Sequence, residues 1–193
     1  MQEPDHSVKP EFLDGQILIA MPDMQDPRFA KSIVYLCAHS EDGAMGLIVN
    51  KTIDDLNWKD LFNKIEIPIG SVNAPRPICF GGPVDMERGF LLHSSDYFSE
   101  GATLKVDETT SMTATLDILQ DIAMGRGPDQ VMLALGYAGW AAGQLEAELQ
   151  MNGWLLCQAD QTLLFDDDHA AKWDRALAKL GINPAMLSSG GHA

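Results

Sequence analysis

The chain has 193 residues, 46% of them hydrophobic and 21% charged, enough to bury one core of ordinary size, so a single domain is expected. Its net charge of -15 repels phosphate backbones, and its thirteen Lys and Arg residues never form a run, which excludes the electrostatic footprint of a direct nucleic-acid binder. Cys37, Cys79 and Cys157 are far apart and outside any Cys-x-x-Cys pattern, so they are expected to be buried thiols of a reducing compartment, not disulfides or zinc ligands.

The polar stretch Met1 to Glu11 lacks a basic region followed by an apolar one, so it is expected to be a flexible leader and not a signal peptide. Ile17 to Met21 reads as a first strand, stopped by Pro22. Ser32 to Ala38 reads as a second, with Ile33, Tyr35 and Cys37 on one face and His39 continuing it. Gly46 to Asn50, apolar on both faces, is expected to be a central strand forming a hairpin with its predecessor. A helix follows, with Asn57 as N-cap, Asp60 three residues on, and Trp58, Leu61, Phe62 and Ile65 on one stripe. Pro68 to Pro77 reads as a loop, and Ile78 to Phe80 as a short strand ended by Gly81, Gly82 and Pro83.

Phe90 to His93 and Thr103 to Val106 read as further strands, and Thr109 to Thr113 as a link to a second helix. That helix takes Thr115 as N-cap and turns Leu116, Leu119, Ile122 and Ala123 inward before Gly125. Val131 to Leu135 is expected to be a buried strand that passes through Gly136, Gly139 and Gly143 to a short helix with Leu145 and Leu149 on its inner face and Trp140 as a core anchor. The apolar run Val131 to Gly143 is too short and too glycine-rich to cross a membrane. Trp154 to Cys157 and Thr162 to Phe165 read as strands. The last helix follows Asp166 to Asp168 and turns Trp173, Ala176, Leu177 and Leu180 inward. The tail Ser188 to Ala193 is expected to be disordered. Strands mixed with helices without strict alternation indicate the α+β class.

Few patterns carry chemistry. GLIVNKT at Gly46 to Thr52 lacks the glycine that must precede the lysine of a phosphate loop, and Gly136, Gly139 and Gly143 miss the dinucleotide spacing, so no nucleotide cofactor is expected. Cys37 and His39, two apart on a strand, stand roughly 7 Å from each other, too far for a nucleophile and its base. Asp166, Asp167, Asp168 and His169 lack the spacing of a metal loop and suit a helix cap, so no metal site is expected. Glu146 and Glu148 suit a helix start and do not face each other. More weight falls on Asn50, Arg88 and His93, polar groups at strand ends beside glycine turns, where pockets form.

The segments LIAMPDM from Leu18, GAMGLIVN from Gly43, GGPV from Gly81, RGFLLH from Arg88 and GYAGWAAGQLEAEL from Gly136 with the following NGWL stand in one order that resembles the AlgH/YqgE family of bacterial proteins. The resemblance runs from about Leu13 to Gly181. It implies an α+β fold in which a mixed, branching sheet forms a barrel-like core surrounded by helices, here a single AlgH-like domain over residues 12–187. It supplies no catalytic residues and no cofactor, because members are described as uncharacterised or as transcriptional regulators linked to alginate production. The leading expectation is a cytoplasmic regulatory protein that is not an enzyme, acting through contact with another protein and not with nucleic acid or membrane. The alternative is an enzyme or small-ligand binder with a pocket near His39, Arg88 and His93, with Asn50, Gln144 and Glu146 as further candidates.

Overall fold

The structure, a computed structural model, describes residues 11–70 and 76–187. The expected leader up to residue 10, the middle of the Pro68 to Pro77 loop and the tail from Ser188 lie outside the described residues. Ten strands form two sheets that share one member: β1 (Gln16–Ala20), β2 (Ile33–Ser40), β3 (Gly43–Ile48), β4 (Thr52–Asn57), β5 (Pro77–Phe80), β6 (Val84–Ser94), β7 (Thr103–Lys105), β8 (Thr110–Thr113), β9 (Val131–Ala141) and β10 (Trp154–Gln158). The first sheet runs β10-β1-β2-β3-β9 and the second β4-β5-β9-β6-β8-β7. All pairings are antiparallel except that of β5 with β9. The helices are α1 (Trp58–Lys64), α2 (Asp117–Ala123), α3 (Gln144–Gln150), α4 (Gln161–Phe165), α5 (Lys172–Lys179) and α6 (Pro184–Leu187).

Strand β9 is where the sheet branches. Its first half pairs with β5 through Ala134 and Leu135, and its second half pairs with β3 through Ala138 to Ala141. Between them stands Gly136 with φ 73, a backbone state that costs other residues a steric penalty. The stretch expected to leave the sheet at Gly136 therefore continues as strand to Ala141, and the helix starts only after Gly143. Side chains alternate across both sheets. Ile17, Ile19, Tyr35, Phe90, Leu92 and Met132 turn into the space between the sheets, where α4 and α5 add Leu163, Trp173 and Leu177. Leu18, Leu36 and Trp154 turn outward under α3, while Leu91 and Leu133 turn outward under α1 and α2. This is the mixed, barrel-like α+β architecture expected.

Helix α1 has the expected capping box: the Asn57 side chain accepts from the Asp60 N–H at 3.1 Å and Asp60 accepts from the Asn57 N–H at 3.2 Å. Four segments differ from expectation. Thr52 to Asn57 is a strand that Asp54 and Asp55 disguised; Asp55 has φ 60 and the ladder to β5 is irregular there. The threonine-rich link is β8, all four residues buried, because β-branched side chains suit a strand wherever their hydroxyls find partners. Thr162 to Phe165 is helical, its first turn capped by Asp160, which accepts the Leu163 N–H at 2.8 Å; a short apolar run carries no period that separates the two states. Helix α2 begins one residue later than expected, at an N-cap Leu116 that is 59% exposed, and buries Ile118 with Leu119 and Ala123.

Candidate functional site

The site is shaped first by a bulge. Leu36 pairs with Gly46 and Ala38 with Met45, so Cys37 is an extra residue in β2. One extra residue reverses the alternation beyond it, and His39 faces opposite to Tyr35 instead of sharing its face as expected. There His39 Nε2 meets Glu146 Oε1 on α3 at 2.7 Å, and Nδ1 accepts the Leu13 N–H at 3.0 Å. An accepting Nδ1 carries no proton, so this network assigns the proton to Nε2, which donates it to Glu146. The Glu146 backbone N–H and this bond hold the Glu146 carboxyl below the usual carboxylate range. The His39 N–H in turn donates to Asp14 Oδ1 at 2.6 Å. Cys37 Sγ donates to Tyr35 O at 3.7 Å, and burial pushes its thiol up to about 12.

Gln144 and Glu148 extend this polar seam along α3. Gln144 Oε1 accepts the Ala141 N–H at 3.0 Å, and its Nε2 donates to Glu148 Oε1 at 2.9 Å. Glu148 Oε2 accepts from two indoles at once, Trp140 at 2.9 Å and Trp154 at 2.8 Å. Trp140 is thus the core anchor expected, tied at its polar end.

Asn50 and His93 are tied into the frame. Asn50 Oδ1 accepts the Ile33 N–H at 2.9 Å and its Nδ2 donates to Lys31 O at 2.8 Å, which fixes the entry to β2. His93 is fully buried, donates from Nδ1 to Ser94 O at 2.9 Å and accepts at Nε2 from Thr113 at 2.8 Å. Burial holds its pKa below the ordinary histidine value. Neither residue lines the cleft described next.

A cleft of about 920 Å³ opens between the ends of β2 and β3 on one side and β6, β7 and β8 on the other, with β9 as its floor. Its surface is mainly apolar, from Met45, Phe90, Met112 and Tyr137 among others. Of the six candidate residues, His39 and Arg88 line it. Arg88 stacks its guanidinium over the Phe90 ring, 5.1 Å from the centroid. Lys105 and Tyr137 also line the cleft and were missed in the sequence: the strand Thr103 to Val106 was expected, but so short a segment does not say which face Lys105 takes, and Tyr137 stands among glycines that read as a link. A second cleft of about 570 Å³, which Gln144 and Glu148 line, shares the wall formed by Val84, Gly139 and Trp140.

Among the described residues no cluster of three His, Cys, Asp or Glu side chains could hold a metal ion, and no helix is long and apolar enough to cross a membrane. Asp168 caps the turn before α5 at the Ala171 N–H, and Asp166 pairs with Arg175 at 3.4 Å, as suits a helix start.

These features can be set beside known proteins. The family model described as AlgH-like matches residues 17–185. A UPF0301 protein of Beijerinckia indica is 54% identical over 191 residues, covering 94% of this chain and 93% of its own length. One of Jannaschia sp. is 52% identical over 183 residues, covering 94% and 95%. The solution structure of the AlgH protein from Pseudomonas aeruginosa superposes with a TM-score of 0.74 at 41% identity, over 100% of both chains. A crystal structure of a Corynebacterium diphtheriae protein shares the fold at a TM-score of 0.76 and 20% identity, over 93% of each chain. The branching α+β sheet and the matched residues lead to one assignment: the chain belongs to the AlgH-like family.

Proposed function

We propose that the protein is a binding protein of the cytoplasm with no chemical step of its own, and that the cleft on β9 receives its ligand. The observation that carries this reading is the division of labour around the cleft. His39 has both ring nitrogens engaged and Cys37 is a buried, protonated thiol, so these two do not form a nucleophile and its base. Arg88, by contrast, is exposed on the rim and suits recognition. Three separate buried thiols suit a reducing compartment. A regulatory role through contact with another protein would then depend on whether the cleft is filled.

A thermal-shift screen of the purified protein against soluble metabolites and lipids tests the reading, because a ligand of the folded state raises the melting temperature by mass action. At least one compound is expected to raise it in a saturable way, and Arg88→Ala to abolish that rise while leaving the unliganded melting temperature unchanged. A screen in which nothing shifts the transition, or a shift indifferent to Arg88→Ala, would sink the proposal.

A further inference from the structure

We propose that the ligand of this cleft is an amphipathic anion: a carboxylate or phosphate head carried on an extended apolar body. The inference rests on the binding reading above and adds the chemistry of what is bound. Three hydrogen-bond donors line the cleft without an acceptor among the described residues: the Arg88 guanidinium, the Lys105 ammonium and the Tyr137 phenol. In a chain with 28 acidic side chains and thirteen basic ones, two cations line one side of this cleft, and among the described residues no carboxylate stands within ion-pairing distance of either. Both stand on the β6–β7 side.

The two carboxylates that also line the cleft, Asp14 and Asp42, come from the approach to β1 and from the β2–β3 turn, on other elements than Arg88 and Lys105. Asp14 is already engaged by the His39 N–H. Beside these charges the lining is apolar, from Phe90, Met112, Met45 and Val106. Phe90 and Tyr137 meet edge to face with centroids 5.7 Å apart, and Arg88 lies on the other ring of that pair, Phe90. A ligand whose head meets Arg88 and Lys105 can therefore lay its body on aromatic and methionine side chains, without desolvating a charge that lacks a partner. The methionines adapt to a chain of no fixed shape. The volume of about 920 Å³ lies within the range of roughly 300–1,000 Å³ usual for small-ligand sites, which favours a small amphiphile over a peptide segment.

The test is titration of the full chain with dodecanoate and with dodecyl phosphate below their micellar concentrations, read by tryptophan fluorescence, since Trp140 lines the cleft. Inorganic phosphate, dodecyltrimethylammonium and an acidic apolar peptide are run in parallel. Dodecanoate or dodecyl phosphate is expected to bind saturably, phosphate and the cationic amphiphile not to. Arg88→Gln and Lys105→Gln, both exposed positions whose loss leaves the core intact, are each expected to weaken binding about tenfold, the loss of one charge-assisted hydrogen bond. Tyr137→Phe is expected to weaken it less. Equal binding of the cationic amphiphile, or affinity unchanged in both charge variants, would overturn the anion while leaving the cleft a binding site. Binding of the peptide without either amphiphile would replace the small ligand by a protein segment and overturn the proposal as well. Failure of every compound in the broad screen would instead remove the binding reading itself.

Discussion

His93 shows how much a single side chain can mislead when read from sequence. Its place after Phe90, Leu91 and Leu92 beside a glycine turn suggested a pocket, yet it is the end of a buried hydrogen-bond chain. The Ser99 N–H donates to Thr103 Oγ1 at 3.0 Å, the Thr103 and Thr113 hydroxyls meet at 2.8 Å, and Thr113 donates to His93 Nε2. The threonines that supply these partners stand ten and twenty positions away, so no local pattern announces them. The chain has a pH consequence. Burial lowers the folded-state pKa of His93 below its ordinary value of 6.5, so on acidification the unfolded chain takes up the proton first. Stability from this residue is fully present above 6.5 and is lost as pH falls through the lowered value. Urea midpoints measured from about pH 7 to about pH 5 should therefore fall in the parent and fall less steeply in His93→Gln. Some slope will remain in the variant, because burial lowers His169 in the same direction. Parallel slopes would show that His93 accepts its proton inside the fold.

The elements divide into those whose period was legible and those whose fate was decided by neighbours. Helix α1 announced itself through Asn57, Asp60 and an apolar stripe, and β1, β2, β3 and β10 through short apolar runs between turn residues. The bulge at Cys37 left no mark in the sequence, and it alone decides which way His39 points. The glycines of the β5–β6 turn and of β9 were visible, but their purpose was not. Gly82 packs against the β9 backbone so closely that a Cβ on it would lie 2.1 Å from the Tyr137 carbonyl carbon and 2.3 Å from the Ala138 nitrogen. A Cβ on Gly136 would lie 2.3 Å from Gly82 O. The pair lets two backbones touch where the sheet branches, and it is not a ligand loop. Gly82→Ala should therefore cost about 3 kcal/mol or more, since neither strand can withdraw. Gly89→Ala, whose Cβ would meet no atom nearer than 3.7 Å, should stay within about 0.5 kcal/mol of the parent. Denaturant midpoints of the two variants measure the contrast, and similar losses at both positions would refute it.

Across the whole molecule the composition was the most informative reading. It gave a chain of ordinary hydrophobic content with a strongly acidic net charge, and the order of several short motifs gave the family. What it withheld was the cleft, because Arg88, Lys105 and Tyr137 come from three strands whose meeting depends on the branch in β9. The net charge of -15 also bears on stability as a whole: like charges repel in the compact state, and the repulsion is screened within about 10 Å at 0.1 M salt. The melting temperature should rise between about 0.02 M and about 0.3 M NaCl, whereas a fall would show that the exposed ion pairs, such as Arg28 with Asp26 at 2.7 Å, outweigh the repulsion. The pairing of β1 with β10 reaches further. Gln16 stands opposite Gln158, so a strand near the start of the fold has no outer neighbour until one near its end has been made. On a ribosome, β1 would wait with one edge open while most of the chain is synthesised. Closing that seam requires a long loop to form before its contacts repay the lost entropy, which places refolding among the slower, millisecond-to-second events of sheet-rich topologies.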